Sequence, residues 1–411
     1  MPARSWRRFA ILLLAGSLAV GGLAACAQES EESTSSMSPL LAQYLRQGSQ
    51  ALQAQEFVRA LTMVDSASGI ADGSQAAHVE MLRGRIFSEM GHLEKADSAY
   101  TVALDHDPDY SGVWLNRGNN AYRMSKYRRA IRFYRNELGG EPQAEPWRGI
   151  GRAYVELGVS DSAEWAFQNA IQRDSSYAPA YHSLALLYED EGAFERALEY
   201  ARQAHRRDTS NTGFQYQLGL LELRNGNERA ALRHLVEVRE DQPWHQGAHY
   251  NIGQALSRLD RTEKAKEFMD RAEDLRKLES KIQHLQSTVR SNPRDPYAHA
   301  ALGSALRRAG RTDEALHAYK VAAYLDSSMT DVRNNIANIY LVKHDTARAV
   351  QTYRRVLRQD SSQVEIWANL GVVYALSGRE EQARAAWQEA LKRDPDHARA
   401  RKYLRRIGRG S

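Results

Sequence analysis

Few side chains in this sequence have types and spacings suited to catalysis or metal binding. His245 and His249 are four residues apart, a spacing that can present two imidazoles to one metal ion from a single helix. No cysteine or carboxylate accompanies them at helical spacing on the same predicted helix, so we interpret them as a surface pair. Gly149-Ile150-Gly151 is half of a dinucleotide-binding fingerprint, but no predicted strand precedes it. We therefore expect no metal site, no cofactor and no enzymatic activity.

The only cysteine, Cys26, excludes an intramolecular disulfide and a cysteine-based zinc cluster. It follows arginines within residues 4–8 and an uncharged, small-residue-rich run over residues 9–25 that is short for a membrane span. This order is typical of a signal peptide, which we assign to residues 1–25. The Leu-Ala-Ala sequence before Cys26 resembles a bacterial lipobox, and the resemblance implies cleavage before this cysteine and lipidation of its thiol. An ordinary signal peptide with an incidental cysteine is the alternative.

Composition places the chain among folded proteins, because 42% of its 411 residues are apolar and 26% are charged. The formal charge of +5 falls to +2 once the three arginines of the signal peptide are removed, so overall charge indicates little about partners. Residues 26–40 read as the lipidated cysteine and a flexible Ser/Glu-rich tether. Ala27 in place of aspartate resembles lipoproteins of the outer membrane. We expect a lipid-anchored protein of the bacterial cell envelope, on the periplasmic face of that membrane.

From residue 41 onward, a small residue recurs about every 34 positions, with one longer step of 50. An alanine follows each small residue at a distance of 12 positions. A period near 34 with a fixed pair of small residues predicts helix-turn-helix repeats in which two helices approach closely. The ten pairs are Gly48/Ala60, Gly84/Ala96, Gly118/Ala130, Gly151/Ala163, Ala185/Ala197, Gly219/Ala231, Gly253/Ala265, Gly303/Ala315, Ala337/Ala349 and Gly371/Ala383.

The pattern resembles the tetratricopeptide repeat, whose W-x2-L-G-x2-Y…A-x3-F…A…P signature is nearly complete near the C-terminus. The matching residues are Trp367, Leu370, Gly371, Tyr374, Ala383, Trp387, Ala390 and Pro395. The resemblance covers residues 41–397 and implies an all-α, right-handed superhelical solenoid of about ten helix-turn-helix repeats. Glycines are expected in the turns between paired helices, at Gly91, Gly158, Gly192, Gly226, Gly310 and Gly378.

We assign repeats one to seven to residues 41–279 and repeats eight to ten to residues 296–397. The intervening excess of 16 residues is assigned to an extended-helix insertion over residues 280–295. Apolar residues spaced by three and four positions predict one continuous helix over residues 262–289. We expect this helix to project beyond the array or to offset the last three repeats from the first seven.

Residues 398–411 combine one apolar helical face with arginines on the other positions. A helix of this kind suits the end of a solenoid, because its apolar face can cover the surface that the last repeat exposes. Contact of the basic face with anionic lipid is the alternative. We predict a C-terminal capping helix whose apolar face comprises Ala400, Tyr403, Leu404 and Ile407.

The resemblance also implies a concave groove for peptides, lined by one stripe of each first helix. The stripe lies three positions before the small residue and one, four and five positions after it. In this sequence it is rich in arginine and tyrosine, which suit protein interfaces. The alternative is that these charges only solvate an exposed face. The expected groove residues are Arg85, Asn119, Tyr122, Arg123, Arg148, Arg152, Tyr216, Arg224, Tyr250, Arg258, Arg307 and Arg308.

These features together predict a non-catalytic, membrane-anchored scaffold or adaptor of the cell envelope. Its partners are expected to be envelope proteins or acidic peptide segments bound in the groove, with the N-terminal lipid in the membrane. The alternatives are a nucleic-acid-binding repeat protein and an enzyme or enzyme accessory subunit. Export and a mature charge of +2 argue against nucleic acid, and the lack of a coherent catalytic constellation argues against an enzyme.

Overall fold

The computed structural model describes residues 37–139 and 143–407, and within them the chain forms 21 α-helices and no strand. The predicted signal peptide, Cys26, most of the tether and the last four residues of the predicted cap lie outside the described residues. The chain divides into two compact units, of which the first ends at Asp208 and the second begins at Thr209. The prediction of an all-α helical solenoid is confirmed.

Unit 1 consists of five helix pairs, each formed by a first and a second helix that contact each other along their lengths. Its helices are α1 (Pro39–Gln53), α2 (Phe57–Ser68), α3 (Gln75–Glu89), α4 (Leu93–His106), α5 (Val113–Arg123), α6 (Tyr127–Glu137), α7 (Ala144–Leu157), α8 (Ser160–Arg173), α9 (Ala178–Asp190) and α10 (Phe194–Arg207).

Unit 2 also contains five helix pairs, followed by one single helix. Its helices are α11 (Thr212–Arg224), α12 (Glu228–Asp241), α13 (Gln246–Arg258), α14 (Thr262–Ser291), α15 (Pro296–Ala309), α16 (Thr312–Leu325), α17 (Thr330–Val342), α18 (Thr346–Gln359), α19 (Val364–Leu376), α20 (Glu380–Arg393) and α21 (Ala398–Ile407).

The turns within helix pairs require a left-handed backbone residue, and six of them use the predicted glycines, whose φ angles lie between 71° and 95°. Glycine adopts this region without the steric penalty of a Cβ atom. Four equivalent turns place another residue there with φ of 57–59°, namely Gln55, Ser125, Asp260 and His344. The helix-turn-helix geometry therefore persists where the glycine is missing.

The paired small and large residues fix how closely two helices of a repeat approach. At Gly118, an added methyl carbon would lie 2.4 Å from the ring of Tyr134, which is fully buried between α5 and α6. Gly371 has the same relation to Trp387, at 2.3 Å. Ala197 is completely buried, as a close helix contact requires. The small residue thus provides the space into which the large side chain of the second helix packs.

The long helix α14 is continuous over 30 residues, as its apolar spacing predicts, but it does not project beyond the array. Leu278 and Ile282, in its second half, are buried in one apolar cluster with Leu302 and Leu306 of α15. The expectation of a projecting helix is therefore wrong, because this apolar stripe continues past the normal end of a second helix and is covered by the next repeat.

The C-terminal helix α21 packs on the last repeat. Ala400 is fully buried, and the ring of Tyr403 stacks on that of Trp387 with centroids 5.2 Å apart. Leu404 joins the same apolar cluster. Its apolar face therefore covers the end of the array, while Lys402 and Arg405 remain exposed.

Candidate binding site

The predicted groove residues of unit 1 lie on three first helices, α3, α5 and α7, of which α5 contacts both others. Arg85 lies on α3, Tyr122 and Arg123 on α5, and Arg148 and Arg152 on α7. The two α7 arginines are four residues apart and therefore project from one side of the helix. We call Tyr122, Arg148 and Arg152 the α7 strip.

Arg152 is held against an aromatic ring of the neighbouring repeat. Its guanidinium carbon lies 4.5 Å from the ring centroid of Tyr122, within cation–π range. The Tyr122 hydroxyl donates a hydrogen bond of 3.0 Å to Oε1 of Glu156, one turn further along α7. Burial raises the pKa of Tyr122 to about 12, Arg152 opposes the rise and Glu156 adds to it. The tyrosine is therefore a neutral donor at physiological pH.

Arg148 is positioned by a second tyrosine. Its Nε donates a hydrogen bond of 3.0 Å to the hydroxyl of Tyr177, and its guanidinium carbon lies 5.9 Å from that ring. Burial, assisted by the positive charge of Arg148, lowers the pKa of His182 to about 4. The histidine is thus neutral near pH 7. Arg148 forms no ion pair within the described residues, so its charge is available to a ligand.

Arg123 has a different environment, although it was expected in the same groove. Its Nη1 donates to the backbone carbonyl of Ser88 at 2.9 Å and to the Ser88 hydroxyl at 2.8 Å. This carbonyl belongs to the last turn of α3, where helix carbonyls lack partners in their own helix. Arg123 therefore ties α5 to the C-terminal end of α3, and only part of its guanidinium remains for a ligand.

Arg85 and Asn119 occupy equivalent positions next to the small residue of their first helices, but only the asparagine is bonded to its repeat. Asn119 Oδ1 accepts a 2.8 Å hydrogen bond from the Tyr134 hydroxyl, so this amide joins α5 to α6. Tyr100, the counterpart of Tyr134 in the preceding repeat, is fully buried, and its hydroxyl has no hydrogen-bond partner among the residues that the structure describes. Burial raises the pKa of Tyr100, and Arg85 lowers it through its charge.

Two of the predicted groove residues of unit 2, Tyr216 and Arg258, are engaged in hydrogen bonds with neighbouring groups. The Tyr216 hydroxyl accepts a 3.1 Å hydrogen bond from Asn251, and its ring lies 4.4 Å from that of His245. Arg258 donates to the backbone carbonyl of Leu223 at 2.7 Å. This bond repeats the one made by Arg123 in unit 1, with the same separation of 35 residues between partners. The remaining predicted residues of unit 2 are exposed: Arg224, Tyr250, Arg307 and Arg308.

Two supporting residues were not predicted as part of the site. Tyr177 lies at the start of the next repeat, outside the stripe that the sequence defines. Glu137 stands where alanine is usual, and its carboxylate accepts from the backbone N–H groups of Gly112 and Leu115 at 2.8 and 2.9 Å. It therefore caps α5, whose own N-cap residue, Gly112, has no side chain. The missing cap at Gly112 is the sequence signal that could have identified this role.

The interpretation of the two histidines as a surface pair is wrong for His249, which is buried, and both side chains bond to the backbone. His245 Nδ1 accepts a hydrogen bond from the backbone of Ala248 at the start of α13, and His249 Nε2 lies 3.0 Å from the Pro243 carbonyl. Across residues 37–139 and 143–407, no three histidine, cysteine or acidic side chains are grouped so as to hold a metal ion. Over the same residues, no helix has the length and apolarity needed to cross a membrane.

Models of protein families match most parts of the repeat array. One model described as a tetratricopeptide repeat matches residues 115–179, 282–330 and 334–398, and another with the same description matches residues 247–277. Together they cover about half of the chain. A third model, described as the TT21 fifth ARM repeats domain, matches residues 159–256.

The solved structures that match this chain share little sequence with it. PilW, a type IV pilus biogenesis factor, is 16% identical over 51% of this chain and 97% of its own, with a TM-score of 0.45. PilF of Pseudomonas aeruginosa is 16% identical over 51% of this chain and 95% of its own, with a TM-score of 0.44. MamA is 21% identical over 40% of this chain and 96% of its own, with a TM-score of 0.37. No curated protein sequence matches the chain.

Proposed function

Because this chain is built from tetratricopeptide repeats, a protein-interaction fold, we propose that it is a non-catalytic scaffold of the bacterial cell envelope that binds acidic peptide segments through the α7 strip. The observation that carries the proposal is the arrangement of Arg148 and Arg152, four residues apart and each held against a tyrosine ring. A tyrosine-supported arginine loses little side-chain freedom on binding and presents its remaining N–H groups to carboxylates.

The strip favours a peptide over other anions because its charged groups alternate with aromatic rings. Tyr122 and Tyr177 are partly exposed and lie beside the two arginines, and tyrosine with arginine is the pairing that dominates protein interfaces. Glu156 adds one negative charge next to Tyr122. A segment with carboxylates spaced to meet Arg148 and Arg152, and an uncharged residue near Glu156, would match this pattern.

We also propose that the scaffold is attached to the membrane through a lipid on Cys26, on the periplasmic face of the outer membrane. The support is the sequence alone: a basic start, an uncharged run and a lipobox-like ending before the only cysteine. One acyl chain anchors a protein marginally and several anchor it stably. Labelling of cells with a fatty-acid analogue should mark the wild-type protein and leave Cys26→Ser unmarked. Equal labelling of both proteins would disprove the anchor.

The groove proposal is tested with a defined probe, a fluorescein-labelled decapeptide that contains five glutamates, and with its five-glutamine counterpart. Fluorescence anisotropy should show binding of the glutamate peptide only. The Arg148→Glu/Arg152→Glu variant should weaken this binding by about a hundredfold, because it replaces two attractive charges by two repulsive ones. Added salt should weaken wild-type binding as well.

The matched control is Arg128→Glu/Arg132→Glu on α6. These two arginines are exposed and, like Arg148 and Arg152, lie four residues apart, and they form no ion pair within the described residues. The control has the same net charge as the α7 variant but leaves Tyr122 and its neighbours intact, so it should bind the peptide within about threefold of wild type. Equal loss of binding in both variants would show a nonspecific charge effect and would disprove the α7 assignment.

A further inference from the structure

The long helix α14 forms one wall of a cavity that lies in unit 2, apart from the α7 strip. The cavity has a volume of about 270 Å³ and is lined by Arg271, Asp274, Lys277, Leu278, Lys281 and Arg308. The first five belong to α14 and the last to the C-terminal turn of α15. Arg271 Nη2 donates to the backbone carbonyl of Arg308 at 3.3 Å, so its guanidinium reaches across from one helix to the other.

The cavity exists because α14 is longer than the other second helices. The other second helices from α4 onward contain 11 to 14 residues, whereas α14 contains 30. Counted from Thr262, fourteen residues end at Leu275, so Lys277 and Lys281 lie on the extra length. The extra length of α14 therefore adds two cations to a place where a regular repeat has no helix to present them.

The lining charges are not balanced by the protein. Four cations face one lining carboxylate, Asp274, which leaves an excess of three positive charges. Lys277 lies 3.5 Å from Glu273, but that carboxylate is already bound by Arg276 at 2.7 Å. Lys281 and Arg308 are exposed and form no ion pair within the part of the chain that the structure describes.

A nearby arginine shows that this imbalance is specific to the cavity. Arg311, only three residues after Arg308, is paired with Glu314 at 2.7 Å and with Glu279 at 3.1 Å. Side-chain bonds to these two carboxylates raise the pKa of Arg311. Acidic partners thus balance the arginine next to the cavity, whereas Asp274 alone faces four cations in the cavity lining, and like charges held together destabilise the unliganded protein.

We propose that this cavity binds a phosphate monoester. The dianion matches the charge excess better than a single carboxylate, and arginine side chains bind phosphate oxygens through paired N–H donors. A cavity of this volume accommodates the phosphate together with a small organic group. The phosphate group is provided either by a soluble sugar phosphate or by the headgroup of phosphatidic acid. The proposal does not depend on the α7 strip.

The test compares the full chain with two variants of equal charge. Lys281→Gln/Arg308→Gln removes two cavity cations, and Lys264→Gln/Arg290→Gln removes two exposed cations from α14 outside the cavity. Calorimetric titration with glucose 6-phosphate should show the same affinity for wild type and the α14 control, and an affinity more than about tenfold lower for the cavity variant. Glucose and glutamate should not bind.

Stability distinguishes a ligand site from a structural cluster. Without ligand, the cavity variant should melt no lower than wild type, because it relieves repulsion. Glucose 6-phosphate should raise the melting temperature of wild type and of the control but not of the cavity variant. Flotation with vesicles of phosphatidic acid and phosphatidylcholine tests the lipid source: cavity-dependent flotation without sugar-phosphate binding assigns the headgroup. The proposal would be overturned if wild type neither bound glucose 6-phosphate nor floated with the vesicles. It would also be overturned if the cavity variant bound either ligand as well as wild type does.

Discussion

The helices α7 and α13 carry arginines from the same predicted stripe, but the structure uses them differently. On α7, Arg148 and Arg152 contact tyrosine rings, and their charges are not consumed by backbone or carboxylate groups. On α13, Arg258 donates to the backbone carbonyl of Leu223 in the preceding first helix and lies 3.7 Å from Glu228. Position in the repeat, more than residue type, therefore decides whether an arginine joins helices or faces a ligand.

The contacts between the two helices of the preceding repeat differ as well. At α5 and α6, the small residue Gly118 faces the rigid ring of Tyr134, whereas at α11 and α12 Gly219 faces the aliphatic Leu235. The Tyr134 hydroxyl also reaches Asn119, which an aliphatic side chain cannot do. The helix pair α5/α6 is thus built on an aromatic, hydrogen-bonded contact, and the pair α11/α12 on an adaptable apolar one.

The largest difference in stability should come from the two helix-contact glycines. Gly118→Ala would place a methyl carbon 2.4 Å from the Tyr134 ring and should destabilise the protein by about 2–3 kcal/mol. Gly219→Ala, with Leu235 at 2.9 Å, should cost about 1 kcal/mol because a leucine adjusts more easily than a ring. Chemical denaturation measures both free energies of unfolding.

The control for these substitutions is Gly69→Ala. Gly69 ends α2 with φ of −70°, a conformation open to alanine, and a methyl carbon there would meet only a carbonyl oxygen at 3.6 Å. This variant should be as stable as wild type or more stable, by up to about 1 kcal/mol. If Gly118→Ala resembled Gly69→Ala, the repeat register would be wrong.

Substitution of one arginine on each helix should affect stability and peptide binding differently. Arg258→Ala should lower the free energy of unfolding by about 1 kcal/mol, because the Leu223 carbonyl loses its side-chain donor and keeps only backbone N–H donors, and should leave peptide binding unchanged. Arg152→Ala should weaken binding of the glutamate decapeptide by about tenfold with a smaller change in stability. Loss of binding in Arg258→Ala alone would reverse the roles that we assign to α7 and α13.

The hydroxyls of two equivalent tyrosines, Tyr134 and Tyr100, should also differ in their contribution to the free energy of unfolding. Tyr134→Phe removes the hydrogen bond to Asn119 and should cost about 1 kcal/mol. Tyr100→Phe removes a buried hydroxyl that has no partner in the described part of the chain, and it should be neutral or stabilising. The melting temperatures of the two variants, compared with that of wild type, measure this difference. Equal destabilisation would show that the Tyr100 hydroxyl has a partner in solution.

The last expected effect is a pH dependence from His182, which is absent at neutral pH and grows as the solution becomes acidic. Its pKa is about 4 in the folded protein, below the ordinary value of 6.5, so the unfolded chain binds a proton that the folded chain does not. The stability that the folded protein gains from a neutral His182 is present in full above pH 6.5, and it is lost as the pH falls towards 4. His182→Gln should therefore lose less stability than wild type across that window. Identical pH profiles of the melting temperature would exclude the histidine as the cause.

Much of the fold was predictable because helix contacts repeat with a fixed period. The turn glycines and the contact between Gly371 and Trp387 follow from one repeated geometry, and local sequence is enough to identify it. The path of α14 was predicted only in part: the apolar spacing indicated a continuous helix, but not that α15 covers its second half. Burial by a later element depends on tertiary packing, which periodicity does not encode.

The candidate site was predictable in composition but not in detail. The stripe rule brought together Arg148, Arg152 and Tyr122. It could not distinguish Arg123, which donates to the end of α3, because that bond depends on the distance between two repeats. Tyr177 was missed for the same reason, since it belongs to the following repeat and meets Arg148 only in the folded unit. Sequence spacing predicts which side of a helix a residue occupies, whereas its partner depends on the stacking of repeats.

Mapping the peptide contact tests the central claim most directly. A glutamate-rich decapeptide with a benzophenone photocrosslinker at its centre is irradiated with the full chain, and the attachment sites are located by mass spectrometry. We expect crosslinks within residues 113–123 and 144–157, the segments of α5 and α7, and their loss in the Arg148→Glu/Arg152→Glu variant. Crosslinks confined to residues 127–137 of α6 or to residues 209–407 would contradict the account.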